Sequence, residues 1–453
     1  MEFGKKKEID MLNGPILSGM LTMSFPLIIT NIFQLLFNTA DLVIVGKLAG
    51  DHCLGAVTAT TFIIQVIVAV FIGISTGVNV LIARLIGEKK QNLINDSLNT
   101  SMTFGLLIGI VLSIIGILSS RFTLELTSCP DDLIDLADVY LNIYYLSMPG
   151  SLMFNYGAAA LRAKGDTKTP LYFLLTSGII NVILNIVMII NFNMTVDGVA
   201  IATVISQYIS CILILIVLAG EKGDFHFSVL SMKIDLPLLK ELLVLGVPAG
   251  FQSCLFSISN VVLQATFNSF GSATTTAVGA AHTLESFTNA IVQGVSIPCM
   301  TYVSQNYGAR NYERIKKSIV LSLLFGLVCS AVIALFGMTM AEEYMHIYSS
   351  DPEIISLGAQ KIHYSMIVYE TYMLMQTGAM AMRGLNHSKT PTFLSLIGVI
   401  GVRLFIVFTL FRINPQYYVL LLSYPVSWIV SDILIWPVLM VQLKNVKKQI
   451  IYE

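Results

Sequence analysis

One carboxylate, Asp41, stands inside the first long apolar stretch of the chain, which runs from Met11 to Ala40 without a charge. About 20 apolar residues cross a bilayer, and Phe25 to Gly46 supplies that length with Asp41 well inside it. A charged side chain near the centre of a spanning helix costs roughly 2.5–3.5 kcal/mol on insertion, so it is rarely idle. Counting back from Asp41 gives Asn38, Gln34 and Asn31 at steps of 3, 4 and 3, which a helix gathers on one face. Such a face lines protein or water rather than lipid. An acid at the end of a polar line can bind a cation or exchange a proton; the plainer alternative is a polar stripe that only holds helices together.

A second polar line lies on the fifth apolar segment, where Ser177, Asn181 and Asn185 follow one another at i, i+4 and i+8. The sixth segment carries Thr203, Ser206, Gln207 and Ser210 on a face of its own. Oxygens of this kind suit a hard cation, or a hydrogen-bond network around a proton-binding Asp. Polar contacts between membrane helices average only about 0.6 kcal/mol, and interhelical bonding is the bland reading of the same residues. The second half has its own ionisable groups in apolar segments: Glu285, Glu370, Arg403 and Asp432, with Lys361 and His363 nearer the outer end of the tenth. Opposite charges in one bundle usually pair, and a bridge from Arg403 to Glu370 or Asp432 is the expected structural lock. Glu370 is the second candidate for proton or substrate binding. Glu285 follows His282 at i+3, a spacing that serves a proton relay or a satisfied pair. Methionines and tyrosines of the tenth segment, among them Met366, Met373 and Tyr372, suit either a promiscuous cavity for flat cations or ordinary packing.

These residues need a frame that holds them in a bilayer, and the composition supplies one. Hydrophobic residues make up 55% of the 453 and charged residues 12%, with a mean hydropathy of +0.78. Twelve apolar segments, the first at 24–46 and the last at 416–443, predict an all-α polytopic membrane protein. The chain also repeats itself: Gly73 and Gly294, Gly87 and Gly308, Gly157 and Gly378, Arg162 and Arg383, and Pro170 and Pro391 are each 221 positions apart. Six spans per half is an even number, so the halves share one orientation, which predicts two parallel pseudo-symmetric six-helix bundles. The predicted lobes are residues 1–219 and 238–453, joined by a cytoplasmic linker at 220–237.

With both ends on one side, the loops of that side carry 21 of the 26 Lys and Arg residues, from Lys5, Lys6 and Lys7 through Lys222 to Lys448. The opposite loops hold Lys47, Arg121 and Arg412 beside acidic runs such as Asp131, Asp132, Asp135 and Asp138. The positive-inside rule therefore predicts a multi-pass protein of the cytoplasmic (inner) cell membrane with both termini in the cytoplasm. No cleavable leader is expected at Met1–Asp10, which is Lys-rich and leads straight into a span-length segment. The six cysteines show no CxxC pair; only Cys53 and Cys129 are read as loop residues, and no disulfide is expected.

Phe25-Pro26 followed by NTADLVIVGKL, the loops containing Gly87 and QNYGARN, and ALRAKGDTKTP with AMRGLNHSKTP resemble the multidrug and toxic compound extrusion (MATE) family, nearest its DinF/MepA-like bacterial branch. The resemblance covers nearly the whole chain, and its motifs fall at matching places in both halves. It implies a secondary antiporter of two six-helix lobes that exports cationic or amphipathic compounds in exchange for H+ or Na+. It also implies an N-lobe cation site made of an Asp in span one, an Asn and an Asp four residues apart in span five, and a Thr in span six. Asp41, Asn181 and Thr203 match three of these positions, while Asn185 stands where the second Asp is expected. One negative charge is thereby missing from a site for Na+. The acids that the NorM-like branch carries in spans seven and ten are replaced by Phe256 and Tyr372.

The chain has no P-loop, HExxH, GxSxG or Gly-rich dinucleotide turn, so neither ATP-driven pumping nor enzymatic activity is expected. The expected partners are a small cationic or amphipathic molecule and membrane lipids, with no nucleic acid, no cofactor beyond the coupling ion H+ or Na+, and a monomer as the working unit. The rival reading is a flippase for lipid-linked precursors or polysaccharides, from the same wider superfamily. A flippase would want cationic residues in its central cavity for a pyrophosphate, and the first six spans offer none. A channel or receptor fits the twofold repeat less well, since channels usually surround a pore by oligomeric symmetry.

Overall fold

Every backbone N–H and C=O inside a bilayer must be paired within its own segment, so long apolar runs fold as helices. The computed structural model describes residues 9–127, 129–221, 223–228 and 232–452; Lys5, Lys6, Lys7, Lys222 and part of the 220–237 linker lie outside the described residues. Among the described residues all regular structure is helical. Helix α1 spans Ile16–Ile44 and runs on into a π-helical turn, Val45–Ala49. It is followed by α2 (Asp51–Gly87), α3 (Gln91–Leu126), α4 (Ile134–Tyr145), α5 (Met148–Lys164), α6 (Lys168–Phe192) and α7 (Val196–Gly220). The second half holds α8 (Leu236–Asn268), α9 (Ser272–Gly308), α10 (Tyr312–Thr339), a short α11 (Ala341–His346), α12 (Pro352–Met366) and α13 (Tyr369–Gly384). The next span alternates α14 (Lys389–Ser395), a π stretch at Leu396–Gly401, α15 (Val402–Phe405), a second π stretch at Ile406–Leu410 and α16 (Phe411–Ile413). The chain closes with α17 (Tyr417–Leu421) and α18 (Ser423–Tyr452).

Among the described residues nine helical runs, with Ile16–Ala49, Lys389–Ile413 and Tyr417–Tyr452 each taken as one, are long and apolar enough to cross a membrane unaided. The other three spans are α4 with α5, α9, and α12 with α13, which completes the expected twelve. Span four breaks where Pro149 removes the donor that would meet the Tyr145 carbonyl one turn earlier. That carbonyl is satisfied by the Ser113 hydroxyl of α3, at 2.5 Å. Polar side chains cap the helix starts: Asp166 Oδ1 accepts from the backbone of Lys168 and Thr169 ahead of α6, and Asp351 Oδ1 from Glu353 ahead of α12.

The twofold repeat reaches the backbone. Left-handed residues recur at the repeat spacing: Gly50 (φ 91°) with Gly271 (φ 104°), Lys89 (φ 56°) with Arg310 (φ 54°), and Gly165 (φ 98°) with Asn386 (φ 68°). Each pair ends or connects equivalent helices, and Lys and Arg take this costly conformation only where the surrounding turn fixes it.

The chain forms two compact units. Ile29–Val247 builds the body of one; Asp10–Ile28 joins Pro248–Glu453 in the other. Compactness thus divides α1 and α8 internally, near Pro26 and at Pro248, rather than following the polar segment 220–237. In the first unit, α3 turns Gly105, Gly109 and Gly116 toward Tyr156, Pro149 and Tyr145 of α4 and α5, and a Cβ on Gly109 would stand 2.6 Å from the Pro149 Cα. Small residues of this kind let membrane helices approach closely. Gly77 of α2 and Gly246 of α8 approach as tightly, since a Cβ on Gly77 would meet the Leu242 carbonyl at 2.6 Å. In the second unit, Gly326 and Gly337 of α10 face Met373 and Met366 in the corresponding way. The methionines Met366, Met373, Met375, Met380 and Met382 are all buried, so they pack the core rather than line a cavity. Cys53, read from the sequence as a loop residue, is buried in the first turn of α2, and all six cysteines are free thiols.

Candidate ion and substrate site

Gly178 on α6 is where α1 is seated in the first unit. Any Cβ there would overlap the Phe37 ring, and this close contact brings Asp41, one turn further along α1, against the polar line of α6. Asn185 Nδ2 donates to Asp41 Oδ1 at 2.8 Å. The Asn181 amide, with its nitrogen turned to the carboxylate as the surrounding donors and acceptors require, donates to Asp41 Oδ1 and Oδ2 at 2.8 and 3.1 Å. Its oxygen then accepts from the Thr203 backbone N–H at 3.3 Å. Asp41, Asn181, Asn185 and Thr203 are thus one cluster, held by α1, α6 and α7. Asn185 is fully buried and Asn181 nearly so.

Two features decide what the cluster can do. The carboxylate has amide partners and, among the described residues, no basic side chain bonded to it. Asn185 Oδ1, on the amide that bonds Asp41, is a buried acceptor with no donor among the described residues. A carboxylate held by an amide whose own oxygen lacks a donor suits one positive charge, a proton or a small hard cation. Thr203 contributes less than its type suggests, because its hydroxyl donates to Val199 O at 3.0 Å inside its own helix and reaches the cluster only through its backbone. Gln34 and Asn38 continue the polar line of α1, but both are exposed and neither hydrogen-bonds Asp41. Tyr140 of α4, buried and within electrostatic reach of Asp41, is a neighbour the sequence did not point to. Its stacking on Tyr144, centroids 6.2 Å apart, is visible in the sequence only as an i, i+4 pair of tyrosines.

In the second unit, Glu285 pairs with Lys361, Oε2 to Nζ 2.8 Å, and accepts from the Ser365 hydroxyl at 2.7 Å. Lys361 is fully buried, and the partner of Glu285 is this lysine rather than His282. The expected lock between Arg403 and Glu370 or Asp432 is not among the ion pairs of the described residues. Arg403 bonds Asn260 and Ser427 instead, at 2.8 and 3.3 Å. Glu370 is half-buried in the first turn of α13, where an acid complements the helix dipole.

Twelve helical spans in two repeated units, with one amide-held acid inside the first, define a polytopic membrane transporter. The chain belongs to the MatE family, whose model matches residues 26–187 and again 248–409. It is 26% identical to the probable multidrug resistance protein YoeA of Bacillus subtilis (strain 168), over 91% of this chain and 90% of that one. It is 23% identical to the multidrug export protein MepA of Staphylococcus haemolyticus (strain JCSC1435), over 90% of each chain. A crystal structure of MATE in complex with MaL6 superposes with a TM-score of 0.91 at 17% identity, covering 98% of this chain and 100% of that one, and shares its fold.

Asn185 is the position where this chain departs from the acid that the family resemblance implies. Replacing it by Asp would set a second carboxylate beside Asp41, raising the attraction for a hard cation against the mutual repulsion of the two acids. Asn185→Asp is expected to bind Na+ about tenfold more tightly than the wild type, equivalent to about 1.4 kcal/mol. Thermal unfolding in detergent across a NaCl series, with choline chloride as the ionic-strength control, reads this. Identical Na+ responses in both proteins would exclude α6 from the ion site.

Proposed function

We propose that the protein is a secondary antiporter that exports amphipathic and cationic compounds across the cytoplasmic membrane in exchange for H+ or Na+. The observation that carries this reading is Asp41, a membrane-embedded carboxylate bonded by two amides beside an unsatisfied amide oxygen. Relatives named as multidrug resistance and export proteins support the substrate class. Asp41 binds the inward-moving cation; a cationic compound competes for the same negative charge, and release of one favours binding of the other. In a one-for-one exchange of monovalent cations no net charge moves, so the ion's chemical gradient, about 1.4 kcal/mol per tenfold, is the driving force. The excess of Lys and Arg on one side supports cytoplasmic termini. A C-terminal reporter active in the periplasm would refute that orientation.

Proteoliposomes carrying ethidium and an imposed pH or Na+ gradient test the exchange. One of the two gradients is expected to drive ethidium against its own gradient, and collapse of that gradient by the matching ionophore to stop it. Transport indifferent to both gradients would rule the antiport reading out.

A further inference from the structure

The second unit holds a cationic patch that the coupling scheme does not use. Arg403 is only 5% exposed, yet among the described residues no carboxylate hydrogen-bonds it; the acid within electrostatic reach, Glu285, is already paired with Lys361. Nη1 donates to Asn260 Oδ1, Nε donates to Ser427 Oγ, and the guanidinium lies 4.8 Å from the Tyr424 ring centroid. The remaining nitrogen, Nη2, has no acceptor among the described residues. Lys361 shares the same Tyr424 ring at 5.3 Å and is matched by Glu285. The two fixed cations therefore share the one acid Glu285, and a guanidinium only partly compensated in a low-dielectric interior is costly.

Two further observations point to a ligand. The backbone is distorted around Arg403 alone in its span: π stretches at Leu396–Gly401 and Ile406–Leu410 bracket the one α-helical turn, Val402–Phe405, that carries it. π turns weaken the helical ladder and are found mostly at functional sites. The neighbouring amides are also turned in a common sense. Asn260 Oδ1 is occupied by Arg403 and Asn289 Oδ1 by the Tyr372 hydroxyl at 2.6 Å, so the NH2 group of each exposed amide is the end left without a partner among the described residues. Tyr372 packs on Trp428 with centroids 5.3 Å apart, and Trp428 on Tyr424 at 6.0 Å, which makes an aromatic wall beside these donors.

We infer that this patch binds the anionic group of a flat amphipathic compound. Arg403 Nη2 and the amide nitrogens of Asn260 and Asn289 take the oxygens of a carboxylate, sulfonate or phosphate, and the Tyr372–Trp428 wall takes the attached ring. The exported class then includes aromatic anions and zwitterions besides cations. This rests on the antiport reading only for the statement that the bound compound is moved; the binding itself needs no gradient.

Fluorescein, a flat aromatic dianion, is the probe, read by anisotropy at equilibrium on the full chain in dodecyl maltoside. Saturable binding to the wild type is expected, weakened about tenfold by Arg403→Gln and less by Arg403→Lys, which keeps the charge and loses the fork. Tyr372→Leu, which leaves the guanidinium in place, is expected to weaken fluorescein binding as well, and it keeps the test alive if Arg403→Gln fails to fold. A melting curve in detergent identifies folded variants. No saturable binding to the wild type, or equal binding by a folded Arg403→Gln or Tyr372→Leu, overturns the inference. So does displacement of fluorescein by phosphatidylglycerol and not by 8-anilinonaphthalene-1-sulfonate, since that pattern selects a lipid phosphate rather than an aromatic anion. Ethidium transport by the wild type, measured separately, decides the antiport reading.

Discussion

Asp41→Asn is expected to leave the protein folded and inserted while gradient-driven ethidium transport falls to the level of protein-free liposomes. Asn keeps the shape of Asp and an acceptor oxygen for the Asn185 amide, so the packing of α1 on α6 survives. It removes the negative charge that two neutral amides hold in a membrane interior, and removing such a charge is neutral or favourable for stability. The melting temperature in detergent is therefore expected to be unchanged or raised, which separates a coupling defect from misfolding. The loss follows from charge balance. The cluster offers one anionic position, and exchange requires that ion and substrate exclude one another from it. With Asn at position 41 neither a proton nor Na+ is attracted, and an ion gradient has no group to act upon. Wild-type rates of uphill transport in a folded Asp41→Asn protein would demote Asp41 to a structural polar residue.

Most of this site is readable in the sequence because helical periodicity is a strong constraint. Asp41 has to face protein, and Asn181 and Asn185 at i and i+4 have to share a face, so their meeting needs only that α1 and α6 be neighbours. What periodicity does not give is which end of a side chain is already engaged. Thr203 lies at the right place, yet its hydroxyl is held by Val199 O of its own helix, a habit of Thr in helices that competes with interhelical bonding. Gln34 and Asn38 obey the same periodicity as Asp41 and still stay outside the cluster, since both side chains are exposed. The fold was legible for the same reasons, through apolar run lengths and the 221-residue repeat, which recurs in the left-handed residues Gly50 and Gly271. The π stretches around Arg403 were not, since they leave the hydropathy of their span unchanged. Charge pairing was the least legible. Arg403, Lys361, Glu285, Glu370 and Asp432 allow several pairings by sequence, and the choice depends on helix rotation and depth, which a single chain's pattern does not encode.

Glu285→Gln is expected to destabilise the second unit by about 3–5 kcal/mol, because it strands Lys361 with its ammonium fully buried and its countercharge gone. With roughly 2–4 °C of melting temperature per kcal/mol for a unit of this size, the fall is about 10 °C. The Tyr424 ring 5.3 Å from Nζ recovers part of the charge at most, since a cation–π contact contributes about 2 kcal/mol when desolvated. Lys361→Met alone is expected to cost a similar amount, as it leaves the Glu285 carboxylate with only the Ser365 hydroxyl at 2.7 Å. The double variant Glu285→Gln/Lys361→Met removes both charges together and is expected to melt within a few degrees of the wild type, because a buried ion pair is often no more stable than a neutral pair of similar volume. A double-mutant cycle on detergent melting curves reads the coupling directly. If the double variant instead shows the sum of the two single losses, the charges act independently, and Glu285 returns as a candidate for proton binding rather than the fixed partner of a buried lysine.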